Sequence, residues 1–148
     1  MNEPDLPSAP GSYALRLRLP APVHLPVGRL GEFDFPAGDY VYLGSAHGPG
    51  GIRARLLHHL RVVSRPRWHL DWLRMYAFLE AGWYSTMPGR LECVWSQAIQ
   101  AMPGVRVPAP GFGSSDCRSG CLAHLMLLPD GLENEEIACC LGRVSKIG

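Results

Sequence analysis

Residues 40–59 constrain the chain more than any other stretch, because they join a short apolar segment, a glycine-rich turn and a basic helix start. Residues 40–44 are aromatic, β-branched and apolar residues that end in glycine, which is typical of a strand. Residues 47–51 contain three glycines and a proline, and apolar residues recur at helical spacing from Ile52 onward. Backbone N–H groups at a helix N-terminus favour an anion. The stretch therefore predicts a strand, turn and helix that bind a phosphate.

The length and cysteine content indicate a single intracellular domain. A chain of 148 residues can bury its own core. We expect polar, proline-rich residues 1–10 to form a flexible N-terminal lead-in and residues 11–148 to form one domain. No signal peptide is visible, and no segment approaches the ~18 apolar residues of a membrane span. Five cysteines, with Cys139 and Cys140 adjacent, fit a reducing compartment better than a disulfide framework. We expect a cytoplasmic protein that contacts no membrane.

The net charge of +1 hides an uneven distribution. Residues 53–74 contain six arginines and a single acid, whereas residues 130–136 contain four acids and no basic residue. A local basic surface is therefore compatible with a nearly neutral total charge. Thirteen of the fourteen basic residues are arginines, and codon bias explains this excess as well as phosphate binding does. We therefore infer phosphate binding only from individual arginines and not from their number.

Periodicity predicts interleaved strands and helices. Alternation over Gly11–Leu19 predicts a strand, with Tyr13 facing a core and Arg16 on a polar outer face. Residues 23–35 predict a hairpin between this strand and a second one at residues 39–44. Further predicted elements are helices at 51–63, 68–73, 90–102 and 131–141, with Val94 facing inward, and strands at 78–86 and 123–128. Such an order predicts an α+β or α/β fold with a small mixed sheet.

Two tripeptides and a later helix resemble a known superfamily. Gly11-Ser12-Tyr13 and Tyr42-Leu43-Gly44 resemble the paired tripeptides of the GIY-YIG nucleases. Ile52-Arg53-Ala54-Arg55-Leu56, followed by His59, is similar to the basic helix after the second tripeptide. Glu92 lies where that superfamily places its metal-binding glutamate. These motifs cover roughly residues 11–99.

The resemblance implies a fold and an activity. The fold would be α+β, with a small mixed or antiparallel sheet flanked by helices and a β-hairpin inserted between the two motif strands. The activity would be divalent-metal-dependent hydrolysis of DNA phosphodiester bonds, directed by DNA structure and related to repair. The resemblance implies catalytic roles for Tyr13, Tyr42, Arg55 and His59, a metal-binding role for Glu92, and substrate-binding roles for Gly44, Arg53 and His58.

Each implied role fits the chemistry of phosphodiester hydrolysis, which needs an activated water and charge neutralisation on the phosphoryl oxygens. Glu92 would hold Mg²⁺ or Mn²⁺. Arg55 would grip the phosphate of the DNA backbone. Tyr13 would orient or deprotonate the attacking water, and His59 would relay a proton.

Ordinary structural roles stand beside these functional ones. Tyrosines in strands usually pack, and a charged residue such as Arg55 or Glu92 on a helix is usually solvated. Two other functions are compatible with the same motifs, namely a non-catalytic nucleic-acid-binding module and an RNA-directed nuclease. The first tripeptide lacks the central isoleucine, and the insertion at residues 20–38 and the long turn at residues 47–51 leave the choice of substrate open.

Two further segments resemble one poorly characterised subfamily, which also occurs fused to endonuclease-III-type repair glycosylases. The first is residues 68–73, a structural hydrophobic segment in which His69 and Asp71 are candidate cleft residues. The second is residues 111–117, in which Asp116 is a candidate site residue.

Cys117-x₃-Cys121-x₂-His124 has the ligand types of a zinc site. No fourth ligand lies nearby in the sequence, although Cys93 or His69 could supply one. Structural thiols in a glycine-rich loop are the alternative.

Overall fold

The computed structural model describes residues 5–114 and 117–147. The elements along the chain are β1 (Gly11–Leu19), β2 (Val23–Val27), β3 (Gly31–Phe35), β4 (Gly38–Ala46), α1 (Gly51–His59), α2 (His69–Arg74), β5 (Phe78–Ser85), α3 (Leu91–Gln100), β6 (Leu125–Leu127), α4 (Asn134–Leu141) and β7 (Ser145–Lys146). Five strands form one antiparallel sheet in the order β6-β4-β1-β5-β7, with β1 at the centre.

Helices cover both faces of this sheet. On one face, Tyr13 and Leu15 of β1 pack with residues of α1, α2 and the β2–β3 pair. On the other face, Ala14 of β1 packs with Trp95 of α3 and Ile137 of α4. Each large apolar side chain that these layers remove from water stabilises the fold by about 1.5–3 kcal/mol. The predicted α+β architecture, with an antiparallel sheet flanked by helices, is confirmed.

The strands β2 and β3 pair with each other in a separate two-stranded antiparallel sheet between β1 and β4 in the chain. Gly28, in the turn between them, has a φ of 52°, which favours glycine. Leu25 and Phe35 are buried and extend the core on the α1 side of the main sheet. That the β2–β3 pair is an insertion relative to a GIY-YIG core stays a prediction.

The prediction that β1 has a polar, solvent-exposed outer face is wrong. Arg16 is only 7% exposed, because α3 and α4 cover this face of the sheet. Its guanidinium donates hydrogen bonds to Asp39 Oδ2 at 2.6 Å and to Asn134 Oδ1 at 3.1 Å. Glu80 Oε2 lies 3.5 Å from Arg16 Nε. A buried arginine is thus matched by two carboxylates and an amide.

The helix predicted at residues 51–63 ends at His59, four residues early. Arg74, in α2, donates from Nε to the carbonyl oxygen of His59 at 3.0 Å and from Nη2 to that of Leu60 at 3.3 Å. These bonds satisfy carbonyls that would otherwise continue the helix. The end of α1 is therefore set by a side chain from the next helix.

The predicted inward face of helix α3 is only partly correct, because Trp95 and Ile99 are buried but Val94 is not. Val94 is 61% exposed, whereas Glu92, Cys93 and Ser96 are buried. The Ser96 hydroxyl donates to the carbonyl oxygen of Ala123 at 2.7 Å, which explains how a polar residue is accommodated there. The buried side of α3 therefore carries a carboxylate and a thiol near its first turn.

Candidate functional site

A cleft of about 480 Å³ opens beside the end of β4. The short β6 pairs only with Tyr40–Tyr42, while β4 continues to Ala46. Residues from both faces of the sheet can therefore reach around this edge. The cleft is lined by Tyr42 and Gly44 of β4, Arg55 of α1 and Glu92 of α3. The structure thus brings the helix that carries Arg55, the helix that carries Glu92 and the second tripeptide to one cleft.

The two tripeptides lie side by side in adjacent strands. The β1–β4 register places Tyr13 opposite Gly44. A Cβ atom at position 44 would overlap Cζ and Oη of the Tyr13 ring. Gly44 is therefore required for the close approach of this ring, which is a packing reason separate from its predicted role in substrate binding.

Tyr13 and His59 form a buried pair behind the cleft. The Tyr13 hydroxyl lies 2.8 Å from His59 Nε2, and both side chains are essentially inaccessible to solvent. His59 Nδ1 lies 4.0 Å from Asp71 Oδ1 and has no hydrogen-bond partner among the described residues. The nearby carboxylate favours a proton on Nδ1, so that Nε2 accepts the hydrogen bond from Tyr13.

Burial controls the protonation of this group. Burial raises the pKa of Tyr13 well above its usual value and raises the pKa of Tyr42 to about 12, although the Arg55 guanidinium opposes both shifts. Burial lowers the pKa of His59 to about 3, although the Asp71 carboxylate opposes this shift. Near neutral pH both tyrosines therefore carry their protons and His59 is uncharged.

This shift predicts an acid-sensitive fold. Below pH 6.5 an unfolded chain protonates His59, whereas the folded chain does not until the pH approaches about 3. The unfolding free energy should therefore fall on acidification by up to about 1.4 kcal/mol per pH unit from this residue. Denaturant unfolding between pH 7 and 4.5 measures the slope, which His59→Gln should reduce.

His47→Gln is the matched control, because His47 is exposed. Its slope should equal that of the wild type. The slope in His59→Gln should therefore be smaller than in the wild type. An unchanged slope in His59→Gln would show that His59 titrates normally in the folded protein.

The guanidinium of Arg55 stands between two clefts. Its Cζ atom lies 3.9 Å from the centre of the Trp68 ring, and Cζ of Arg67 lies 5.0 Å from the same ring. Such stacking orients a guanidinium while leaving its N–H groups available. Arg55 also lines an adjoining cleft of about 560 Å³, together with His58 and Arg61. A basic wall thus runs from one cleft into the next.

Glu92, in the first turn of α3, lines the same cleft as Arg55. It is 4% exposed, and its Oε2 accepts a hydrogen bond from Ser12 Oγ at 3.3 Å. Within residues 5–114 and 117–147 it forms no ion pair and is the only acid that lines the cleft. A buried carboxylate with so little compensation is a favourable site for a cation.

His58 and Arg53, both predicted to bind substrate, lie away from the first cleft. His58 Nε2 lies 2.9 Å from Asp71 Oδ1, and Asp71 Oδ2 accepts backbone N–H groups of Arg67 and Trp68 at 2.8 and 2.9 Å. Burial acts to raise the pKa of Asp71, but these hydrogen bonds hold it below its usual value. The ligand atoms of His58, His59 and Asp71 could hold a metal, but hydrogen bonds already occupy both carboxylate oxygens.

The start of α1 does not form the predicted phosphate cradle. The N–H groups of Ile52 and Arg53 donate to the carbonyl oxygens of Ala9 and Pro7, at 3.0 and 2.9 Å. Leu6 is buried in the core, so the described part of residues 1–10 packs against α1. The rest of the predicted flexible lead-in, residues 1–4, lies outside the described residues.

A cluster of three thiols and an imidazole lies beside the cleft, and Cys93, Cys117 and His124 line it. Ligand atoms of Cys93, Cys117, Cys121 and His124 all lie within 4.8 Å of one another, so this group could hold a metal ion. Cys93, which the sequence offered as one of two fourth ligands, completes the set. The other candidate, His69, instead accepts the backbone N–H of Gly113 at Nδ1, at 2.8 Å.

Of the two candidate cleft residues in segment 68–73, His69 lines the first cleft, whereas Asp71 is not among the lining residues and instead contacts His58. The sequence pattern indicated neither this role of Asp71 nor the contact of Trp68 with Arg55. Both lie in residues 68–73, whose tryptophans and single acid among arginines were the available signal. Asp116, another candidate, lies outside the described residues.

The fold and site define an α+β protein with a basic cleft, a buried carboxylate and a cysteine–histidine group. A family model described as "Domain of unknown function DUF123" matches residues 12–145, so the chain belongs to this family. No curated protein and no solved structure matches the chain. Over the part of the chain that the structure describes, no helix combines the length and apolar character needed to cross a membrane.

Proposed function

We propose that this protein is a divalent-metal-dependent endonuclease that hydrolyses DNA phosphodiester bonds on a GIY-YIG-like core. One observation carries the proposal: the guanidinium of Arg55 and the buried carboxylate of Glu92 line one cleft, together with Tyr42. A cation held by a carboxylate and a phosphate-binding guanidinium can together neutralise the charge that develops on the phosphoryl oxygens during phosphodiester hydrolysis.

The substrate-binding part of the proposal depends on the arginines. Arg55, Arg67 and Arg90 line the first cleft, and Arg61 extends the basic wall into the second. A guanidinium matches two phosphoryl oxygens, and a row of them matches successive phosphates of a nucleic-acid backbone. Arginine contacts with the phosphate backbone carry no base-sequence information, which favours cleavage directed by DNA structure, as in repair.

Glu92 is the residue proposed to hold Mg²⁺ or Mn²⁺. Its carboxylate is buried, lines the cleft and, among the described residues, accepts a hydrogen bond only from the Ser12 hydroxyl, so a hard cation with water ligands fits it. A cation bound there supplies charge neutralisation and lowers the pKa of a coordinated water. Ser12 then fixes the direction of the carboxylate.

We propose different roles for the two tyrosines, Tyr42 at the cleft and Tyr13 behind it. Tyr42 is 6% exposed and lines the cleft, so its hydroxyl is the one placed to hydrogen-bond a water or phosphate there. Tyr13 is fully buried behind it and is bonded to His59. We therefore assign Tyr42 to contact with the reacting groups, and the Tyr13–His59 pair to positioning and proton transfer behind it.

The full burial of Tyr13 favours a second candidate, a non-catalytic nucleic-acid-binding module with the same basic clefts. An RNA-directed nuclease would use the same residues. Either function, like the first, is proposed for a cytoplasmic protein, where the five cysteines stay reduced.

Matched oligonucleotides separate these candidates. End-labelled duplex and branched DNA, and RNA of the same sequences, are incubated with the protein and Mg²⁺ and then resolved on denaturing gels. Cleavage of DNA supports the proposal, and cleavage of RNA alone supports the RNA-directed nuclease. DNA that is retained by the protein in a mobility-shift assay but stays intact with both Mg²⁺ and Mn²⁺ supports the binding module.

A further inference from the structure

Three thiols and one imidazole meet beside the cleft, separate from the residues assigned to phosphodiester chemistry. Cys93 Sγ lies 3.5 Å from Cys117 Sγ and 4.0 Å from His124 Nε2. Cys121 Sγ belongs to the same group, within 4.8 Å of every other ligand atom. Two sulfurs bonded to one tetrahedral zinc ion, each at about 2.3 Å, are about 3.8 Å apart. The observed spacing is thus that of a single coordination sphere.

We propose that Cys93, Cys117, Cys121 and His124 bind one structural Zn²⁺ ion. Three thiolates and an imidazole are a recurrent ligand set for structural zinc, and soft sulfur ligands disfavour Mg²⁺. Four protein ligands leave no open position for a water or a substrate, so the ion holds the fold rather than taking part in a reaction. The site is therefore chemically distinct from the oxygen ligand at Glu92.

The proposed ion would join three separate segments of the fold. Within the described residues between Gln100 and Leu125, the chain forms no helix or strand of its own. Loops longer than about 12–15 residues without such structure are uncommon in compact domains, and those that are ordered usually have a function. The proposed ligands come from α3, from this loop and from the residue before β6, so one ion would tie all three segments together.

The four proposed ligands differ in how firmly the rest of the protein holds them without the ion. His124 is fixed by its backbone, which donates to the carbonyl oxygen of Phe112 and accepts from Leu43 N, both at 2.8 Å. Cys93 is buried within α3. Cys117 and Cys121 lie in the irregular segment, so they depend most on the ion for their position. Loss of zinc should therefore loosen the loop and lower the thermal stability.

A disulfide between Cys93 and Cys117 is the competing explanation of their proximity. It would bring the two sulfurs to about 2.05 Å and use two of the four groups. Cys121 and His124 would then converge on the same point without a role. A metal ion accounts for all four.

Metal analysis of the purified full chain tests the proposal. We expect about one zinc per chain, and Co²⁺ in place of zinc should give the visible absorption of a tetrahedral thiolate complex. Cys117→Ser and Cys121→Ser should each lose most of the zinc and lower Tm by about 10 °C or more. Cys139→Ser is the matched control, because Cys139 is an exposed thiol outside the cluster, and it should keep its zinc.

A conservative variant keeps the test decisive if the serine variants do not fold. His124→Cys retains four ligands and should bind zinc, whereas His124→Ala should not. A wild-type protein without zinc that takes up no Co²⁺ would overturn the proposal. So would a mass under denaturing, non-reducing conditions that shows a disulfide in the wild type. The inference is independent of the proposed nuclease activity, because metal content is measured without DNA.

Discussion

Glu92→Gln is expected to lower the rate of Mg²⁺-dependent DNA cleavage by about 10³-fold or more. The substitution keeps the shape of the side chain and its hydrogen bond with Ser12, but it removes the charge that would hold the cation. Because the carboxylate is buried and unpaired among the described residues, its neutralisation should not destabilise the fold. Single-turnover cleavage at several Mg²⁺ concentrations measures the loss.

The matched control for this experiment is Glu136→Gln. Glu136 also lies in the first turn of a helix, but it is exposed on α4, far from the cleft lining. Its variant should cleave at the wild-type rate. If Glu92→Gln also cleaves normally while folding normally, Glu92 is not the metal ligand and the site assignment fails.

Arg55→Ala is expected to lower cleavage by about 10²–10³-fold and to weaken DNA binding. The guanidinium is the proposed phosphate contact. It lines the cleft with its Cζ atom 3.9 Å from the centre of the Trp68 ring. Arg55→Lys keeps the charge but loses the paired N–H groups, so it should recover only part of the activity. In a plot of log affinity against log salt, loss of one phosphate contact should reduce the slope by about 0.9.

Arg65→Ala separates a specific contact from general charge. Arg65 is exposed and lies outside the cleft lining, and its removal changes the net charge of the protein by the same amount. Its variant should keep nearly all of the cleavage activity. Equal losses in the two variants would mean that Arg55 contributes only to the general electrostatic field.

The sequence was informative where one local pattern determines the structure. Alternation over Gly11–Leu19 predicts β1 with its observed bounds, and the glycine of the second tripeptide lies where the ring of Tyr13 needs space. The helix beyond the turn at residues 47–51 was also predicted, but its end was not. That end depends on Arg74, a residue of the next helix, which no pattern within α1 reveals.

Long-range packing explains the remaining differences. The face of β1 that carries Arg16 looked solvent-exposed, because the helices that cover it are formed by residues far along the chain. Spacing alone could not decide between Cys93 and His69 as the fourth ligand, since Cys93 lies 24 positions before Cys117 and a long loop intervenes. The burial of Tyr13 behind Tyr42 likewise depends on how α1 and α2 pack on the sheet.

Nicking of supercoiled plasmid DNA by the purified full chain tests the central claim most directly. Zinc content is measured in the same samples, so that removal of Mg²⁺ is not confused with loss of a structural ion. We predict relaxed circles with Mg²⁺, none when Mg²⁺ is omitted, and their return when Mg²⁺ is added back. DNA that is bound by the protein but never cut, with Mg²⁺ or Mn²⁺ and on duplex, branched and single-stranded substrates, would contradict the account.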